Sequence, residues 1–325
     1  MGQPDSRGML VAGPLAGVSI AYRNANYIGD RVFPIINNVP LDAKIARYLK
    51  GAWFRDEAGI RAAGTRAKRG GYPTDYVDVS VKEYAFAKEV TDEDREIATL
   101  AGGPPLQPEQ DAIEFASDKI DLNKERQVAS VVISGTWSSV AGEDAEGLWA
   151  AGSGNTFISD VETRKETIRA NTGVKPNCMV LSANTLKELK MESTLLDRIK
   201  YTERGIVTAA LIAAMFDLEE VLIGDAVYSS ANEKADGSDF TAVNVWEKNA
   251  GKGSAFLYYR PAAPRLKTPS AGYQARASYP NGQLRKTTTW RENPEHQDVY
   301  ECSERTHILQ TGSDLGFLWY DTILT

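Results

Sequence analysis

Two histidines, His296 and His307, and two cysteines, Cys178 and Cys302, are the chain's whole supply of imidazole and thiol ligands. Metal centres need such groups clustered, as in an HExxH helix or a close Cys/His set, and neither that spacing nor an EF-hand loop occurs here. No metal site is expected, and each histidine reads as an ordinary surface or strand residue. Gly152-Ser-Gly154 and Gly251-Lys-Gly253 stop short of the third glycine of a dinucleotide loop and miss the phosphate-loop spacing, so both read as turns. No GxSxG elbow presents a nucleophilic serine. The carboxylate neighbours Glu219–Glu220 and Asp92–Glu93 read as solvated faces or caps, not as an acid–base pair. Trp246, Trp290 and Trp319 sit in strand-like contexts and read as core or interface aromatics, not as a base-stacking platform. The residues therefore offer no catalytic group and no cofactor ligand.

One dense group of charges remains. Arg61, Arg66, Lys68 and Arg69 lie in GIRAAGTRAKRGGYP, among Gly59, Gly64, Gly70 and Gly71. Four cations among small residues could grip phosphates or an acidic protein surface, and the same composition also suits a solvated loop. A loop of this length in a compact domain is usually functional. It joins two strand-like runs, Ala46–Phe54 and Tyr76–Lys82, the second with Val77, Val79 and Val81 on one face. Residues 41–90 thus read as a long two-stranded excursion.

The element that must carry this excursion is a long helix running up to Gly135. Pro104, Pro105 and Pro108 stiffen its entry, and Glu109, Asp111 and Glu114 place negative charge at the positive end of its dipole. Ala112, Ile113, Ala116, Ile120, Gln127, Val128, Val131 and Val132 form a narrow apolar stripe. At ~1.5 Å per residue the rod is roughly 39 Å long and must lie across a sheet or a neighbouring subunit.

Ahead of the excursion, residues 1–40 are rich in Gly, Pro and Asn, with apolar groups at Val18–Ile20 and Val32–Ile36. Phe33, Ile35 and Ile36 are too apolar for a floppy tail, so the segment reads as an arm lying along another surface. Thr91-Asp-Glu-Asp94 resembles a capping box before a short helix over 92–100. After the rod, Trp137–Thr156 reads as a linker or surface loop. The next hundred residues alternate helix and strand: helices at Asp160–Ala170 and Ala183–Lys190 (capped by Ser182), a buried helix at Thr208–Phe216, and strands at Cys178–Leu181 and Glu220–Gly224. That alternation predicts a compact α/β unit. Strands at Ala255–Tyr259, Gly272–Ala277, Leu284–Trp290 and Thr306–Gln310 then return to pack beside residues 84–135, which gives two domains, one inserted in the other.

Hydrophobic content of 42% and charged content of 25% suit a folded soluble chain. A net charge of −7 excludes the whole surface as an electrostatic partner for nucleic acid. No run reaches the ~18 apolar residues of a membrane span, and no basic-then-apolar leader opens the chain. Two distant cysteines argue for folding in a reducing cytosol.

In this order of segments the chain resembles the major capsid proteins of tailed bacteriophages, the Hong-Kong-97-type shell fold. The resemblance rests on Val32-Phe33-Pro34, the basic loop, the rod, Lys200-Tyr-Thr202 with Thr208–Leu211, Glu220–Gly224, Pro269-Ser-Ala-Gly-Tyr273 and Gly316–Tyr320. It implies an α+β fold with an N-terminal arm (1–40) and an extended β-hairpin E-loop (41–83). It further implies a peripheral domain (84–149 and 256–325) with spine helix 108–134, and an inserted α/β axial domain (150–255). It implies a structural, non-enzymatic protein that assembles with itself through hexamers and pentamers into an icosahedral shell around phage dsDNA, without sequence-specific binding and without a membrane. Arg61, Arg66, Lys68 and Arg69 of the E-loop, and Phe33, Ile35 and Ile36 of the arm, are then inter-subunit contacts. About 15–30 residues precede Val32, which points to a separate scaffolding protein; a portal and a cement protein are further expected partners. No asparagine or assisting carboxylate pairs with Lys68, so non-covalent contacts rather than cross-links are expected. The expected location is the virion, after assembly in the host bacterial cytoplasm. Rival readings are a cellular encapsulin-like nanocompartment shell and, from another class, an α/β enzyme or binding protein, for which the sequence supplies no site.

Overall fold

The computed structural model describes residues 23–99, 107–138, 142–152, 154–199, 207–232, 239–265 and 267–323. The expectations at Val18–Ile20, Pro104–Pro105 and Lys200–Thr202 lie outside the described residues. The chain begins with a short helical turn α1 (Gly29–Val32) and a two-residue strand β1 (Ile35–Ile36). Strand β2 (Asp42–Tyr48), turn α2 (Lys50–Trp53) and strand β3 (Thr74–Ser80) form the hairpin, and only Val81 separates β3 from β4 (Lys82–Thr91). The first hairpin strand was expected at Ala46–Phe54. It lies earlier because register is set by Val79 opposite Ala43 and Val77 opposite Ile45, and pairing ends where Tyr48 meets Thr74. Past Tyr48 the chain has no strand partner and coils into α2.

Helix α3 (Asp92–Thr99) opens on the capping box: the Asp94 N–H donates to Thr91 Oγ1 at 3.3 Å and the Thr91 hydroxyl donates to Asp94 Oδ2 at 2.9 Å. Helix α4 (Pro108–Ser134) starts on a proline, carries Glu109 and Asp111 in its first turn and ends at Gly135 in extended conformation. Its 27 residues span roughly 40 Å. Ala112, Ala116, Ile120, Lys124, Val128 and Val132 are buried at a constant spacing of four. Four residues turn a helix through about 400°, so the stripe winds by about 40° per step, and its two ends face different partners. Ile113 falls off the winding stripe and is exposed.

Strand β13 (Gln297–Gln310) is the axis of the first sheet. Residues 297–306 pair antiparallel with all of β4; on the other side β12 (Arg285–Glu292) pairs with 297–304 and β11 (Gly272–Arg276) with 306–310. Strand β1 adds to β11 in parallel. The expected strand at Thr306–Gln310 is only the end of β13. Asp298, Glu301, Glu304 and Arg305 mask its earlier residues Val299, Tyr300 and Cys302 as a strand in sequence. Helix α4 covers one face, where Ala112 packs with Val90 and Tyr300, and Ala116 and Ile120 pack with Cys302. On the other face the hairpin root, Val79 and Val81, packs on Tyr273, Ala275, Ala277 and Leu309.

The second sheet runs β5 (Glu143–Asp144), β14 (Gly316–Tyr320), β10 (Ser254–Tyr258), β6 (Cys178–Ser182), β7 (Glu220–Gly224). Helix α5 (Phe157–Thr172) stops at Gly173, whose left-handed φ of 72° suits a residue without a side chain. Ser182 caps α6 (Ala183–Leu189), α7 (Ser193–Ile199) follows, and α8 (Ala209–Met215) is buried along Ile212 and Ala213 only, so this helix is one-sided rather than enclosed all round. The hairpin β8 (Val227–Ser229) and β9 (Ala242–Asn244) and a 3-10 turn at Ser313–Leu315 complete the described elements. The segment read as a linker is irregular in backbone but anchors the core: Trp137 and Trp149 are fully buried, and the Trp149 ring lies 4.9 Å from Phe157 and 5.1 Å from Trp319. Both cysteines are buried and unbonded.

Candidate assembly surfaces

The hairpin leaves the body as its burial declines. Val79 at the root is buried, Val77 and Ile45 are half-buried, and the ion pair of Arg47 with Asp75 beyond them is exposed. At the neck Tyr48, Trp53 and Tyr72 form a ring cluster with centroids 5.6–6.0 Å apart. The ammonium of Lys267 sits 5.5 Å from Tyr48 and 5.4 Å from Trp53. The neck also rests on its own subunit through an ion pair of Lys50 with Asp314 and through the Phe54 ring against Gly173. From Gly59 to Gly71 there is neither strand nor helix, and every residue is exposed. Arg61, Arg66, Lys68 and Arg69 lie there with no ion-pair partner among the described residues, whereas Lys44, Arg47 and Lys50 nearer the root each have one. Among the described residues, seven of the fourteen exposed large hydrophobics fall from Leu41 to Tyr76. A concentration of this kind marks a surface that another protein covers.

The three arm residues behave differently from one another. Phe33 is 1% exposed in its own subunit, edge-on to Tyr258 at 6.1 Å, so its burial needs no neighbour. Ile35 and Ile36 are half-buried in β1 beside Gln274 and Ala275. The stretch from Asn24 to Ile36 is a strap laid across the subunit. The Asn24 side-chain amide exchanges two hydrogen bonds with the Val227 backbone, at 2.9 and 3.0 Å. The Gln274 amide donates to the Gly29 and Phe33 carbonyls at 2.6 and 3.2 Å.

Sequence reasoning missed what holds the strap. Glu125, buried on α4, accepts the N–H groups of Ile28 at 3.1 Å and Gly29 at 2.5 Å and the Trp246 indole N–H at 2.6 Å. Burial pushes its carboxyl above the usual range, against the pull of those three donors. One residue earlier, Lys124 reaches Asp30 at 3.1 Å and Glu304 at 3.8 Å. Arg276 reaches the same two carboxylates at 2.6 and 3.5 Å. Arg285 holds Glu304 at 2.9 Å and pairs with Asp121. Asp30 is raised by burial but, with Lys124 and Arg276 outweighing that, lies below the ordinary carboxylate value. The available signal was Lys124 at four-residue spacing from Ile120 and Val128, a charge on an otherwise apolar stripe.

The described residues place the histidines and tryptophans apart from one another. His296 lies in the β12–β13 turn, and His307 accepts a backbone hydrogen bond from Ser80. Trp246 and Trp319 are buried while Trp290 is partly exposed on β12. Among the described residues no group of three or more His, Cys, Asp or Glu could hold a metal ion, and no helix is long and apolar enough to cross a membrane. Among the described residues a hollow of about 10 Å³, at the lower limit for one water, is lined chiefly by Val132, Ile133, Val180, Trp246, Phe256 and Leu318. What the surface offers is contact area and charge.

No family model matches the chain. It is 30% identical over 240 residues to the major capsid protein of Burkholderia phage BcepMu, covering 71% of this chain and 73% of that protein. Its structure is similar to that of a phage-related protein from Bordetella bronchiseptica, with a TM-score of 0.67 at 22% identity over 94% of each chain. It is also similar to the capsid of cyanophage P-SCSP1u, TM-score 0.60 at 10% identity over 93% of this chain and 90% of that one. The mature capsid of bacteriophage PhiM1 gives a TM-score of 0.58 at 12% identity over 94% and 90%. The fold is thus the Hong-Kong-97-type shell fold expected from the order of segments.

Proposed function

The chain belongs to the family of bacteriophage major capsid proteins, and on that premise we propose how its surfaces build a shell. It is a structural protein of the virion that assembles with itself, not an enzyme. In the proposed arrangement residues 41–83 act as the E-loop and reach over the next subunit. Arg61, Arg66, Lys68 and Arg69 meet acidic surface there, and the exposed apolar residues of the neck are covered. Ile35 and Ile36 contribute a half-buried edge to the same contacts, while Phe33 supports them from within. Residues 84–149 and 256–325 form the peripheral domain and 150–255 the axial domain, with axial domains meeting at the centres of hexamers and pentamers. The shell encloses dsDNA without reading its sequence; a surface of net charge −7 suits a wall that does not bind its contents tightly. A separate scaffolding protein, a portal and a cement protein complete the proposed set of partners, with assembly in the host cytoplasm. The relative of 30% identity is a phage protein, which favours a genome over an enzyme cargo as the content.

The observation that carries this reading is the hairpin: four cations with no ion-pair partner among the described residues of their own subunit, beside a run of exposed apolar residues. Many such weak contacts, repeated around a closed lattice, add up to a stable shell. The test is negative-stain microscopy and light scattering of the purified protein beside a variant with Arg61, Arg66, Lys68 and Arg69 all changed to Ala. Shells, tubes or rings are expected from the native chain, and only soluble subunits with an unchanged circular-dichroism spectrum from the variant. Equal assembly by both would remove these cations from the interface.

A further inference from the structure

We propose that the His307 imidazole is an acid-sensitive pin at the root of the hairpin, closed while the ring is neutral and opened when it takes a proton. His307 lies on β13 where β3 passes into β4. Its Nδ1 accepts the Ser80 backbone N–H at 3.2 Å, which requires the neutral ring to carry its proton on Nε2. Among the described residues this is the hydrogen bond that ties β3 to the five-stranded sheet. It sits beside the Val81 N–H to Leu41 carbonyl bond of 2.7 Å and the Val79–Val81 contact with Ala275 and Leu309. Outward from there burial declines as far as the neck, where Lys50 meets Asp314 and Phe54 meets Gly173, so the pin is the inner of two attachments.

Protonation puts a hydrogen on Nδ1 and turns two bonded groups into two opposed donors. The neighbouring charges give the imidazolium no relief. Lys82, the first residue of β4, opposes it. Glu83 on β4 is already engaged by Arg305 at 2.9 Å and by the Tyr279 hydroxyl at 3.2 Å. Asp78 on β3 pairs with Lys44 at 3.2 Å on the outer side of the ribbon. On β11 the residue opposite His307 is Ala275, and its neighbour Arg276 is held by Asp30 and Glu304. Burial first, and Lys82 second, hold the ring's pKa below its usual value. The sign follows from that direction: the pin contributes fully above the unfolded value of ~6.5 and is lost as pH falls through the lower folded value. The device concerns the single subunit and holds whether or not shells form.

Hydrogen–deuterium exchange on the unassembled subunit tests it, at pH 7.5 and in steps down to about pH 4, with rates corrected for the intrinsic pH dependence of exchange. Peptides covering 74–82 are expected to lose about fivefold in protection by the acid end of the series, the worth of one net hydrogen bond, while those covering β6 do not change. His307→Asn offers an acceptor in place of Nδ1 that cannot be protonated in this range, and its protection should not vary with pH. Lys82→Met should move the onset of the loss upward by a few tenths of a pH unit. An unchanging native hairpin, or the same acid loss in His307→Asn, would overturn the proposal. Should His307→Asn not fold, an unmoved onset in Lys82→Met would do so.

Discussion

Glu125 combines two demands that normally conflict, since it is 1% exposed yet accepts three hydrogen bonds as a carboxylate should. Its removal would strand two backbone N–H groups of the strap and the Trp246 indole away from water. Each stranded donor costs about 1–3 kcal/mol, partly offset because the buried carboxylate itself is desolvated. Glu125→Ala is therefore expected to lower unfolding free energy by about 3 kcal/mol, measured in urea, with the strap around Ile28 and Gly29 becoming protease-sensitive before the rest. A loss within ~0.5 kcal/mol would show that water replaces the carboxylate without penalty. The same residue explains a limit of reading by composition: an isolated Glu on a helix is ordinarily solvent-facing, and only the distant Trp246 and Ile28 make it a core residue.

Helix α4 was legible because local signals agreed: a proline and acidic residues at its start, a glycine at its end and apolar residues at helical spacing. The capping box at Thr91 and Asp94, the Ser182 cap and the αL stop at Gly173 are equally local, and they too could be read without a structure. What depended on partners could not. The start of β13 looked too charged for a strand until Lys124, Arg276 and Arg285 were seen to meet Glu304. The linker-like run after α4 concealed two fully buried tryptophans because Gly, Ser and Ala surround them. At the candidate surface, the basic loop was visible in sequence, but the aromatic cluster at its neck was not, since Tyr48, Trp53 and Tyr72 meet only when the hairpin closes. The winding stripe of α4 gives a sharp expectation for its middle. Ala116 has no exposed surface and packs on Cys302, so Ala116→Leu should overpack the helix–sheet contact. A loss of about 1–3 kcal/mol is expected by urea unfolding, whereas Ile113→Ala, on the exposed side, should change little.

At the scale of the whole molecule, the residues that hold the fold together are distinct from those proposed to build the shell. The cores join α4 to both sheets and α5–α8 to the second, while the hairpin beyond its neck adds exposed surface and no core. Replacing residues 55–71 by a short Gly-Ser turn should leave the urea midpoint of the subunit within experimental error and abolish particles in light scattering. A large fall in stability would mean that the tip supports its own subunit after all. The sheet partners set a further condition. Strand β4 waits for β13, more than two hundred residues later, and β5 waits for β14. Both sheets are therefore completed by strands synthesised long after their partners. A chain broken off before Gln297 lacks the axis of one sheet and, in β14, the strand that joins β5 to β10 in the other. Such a chain would expose unpaired strand edges, a ready target for proteolysis and a hazard for aggregation.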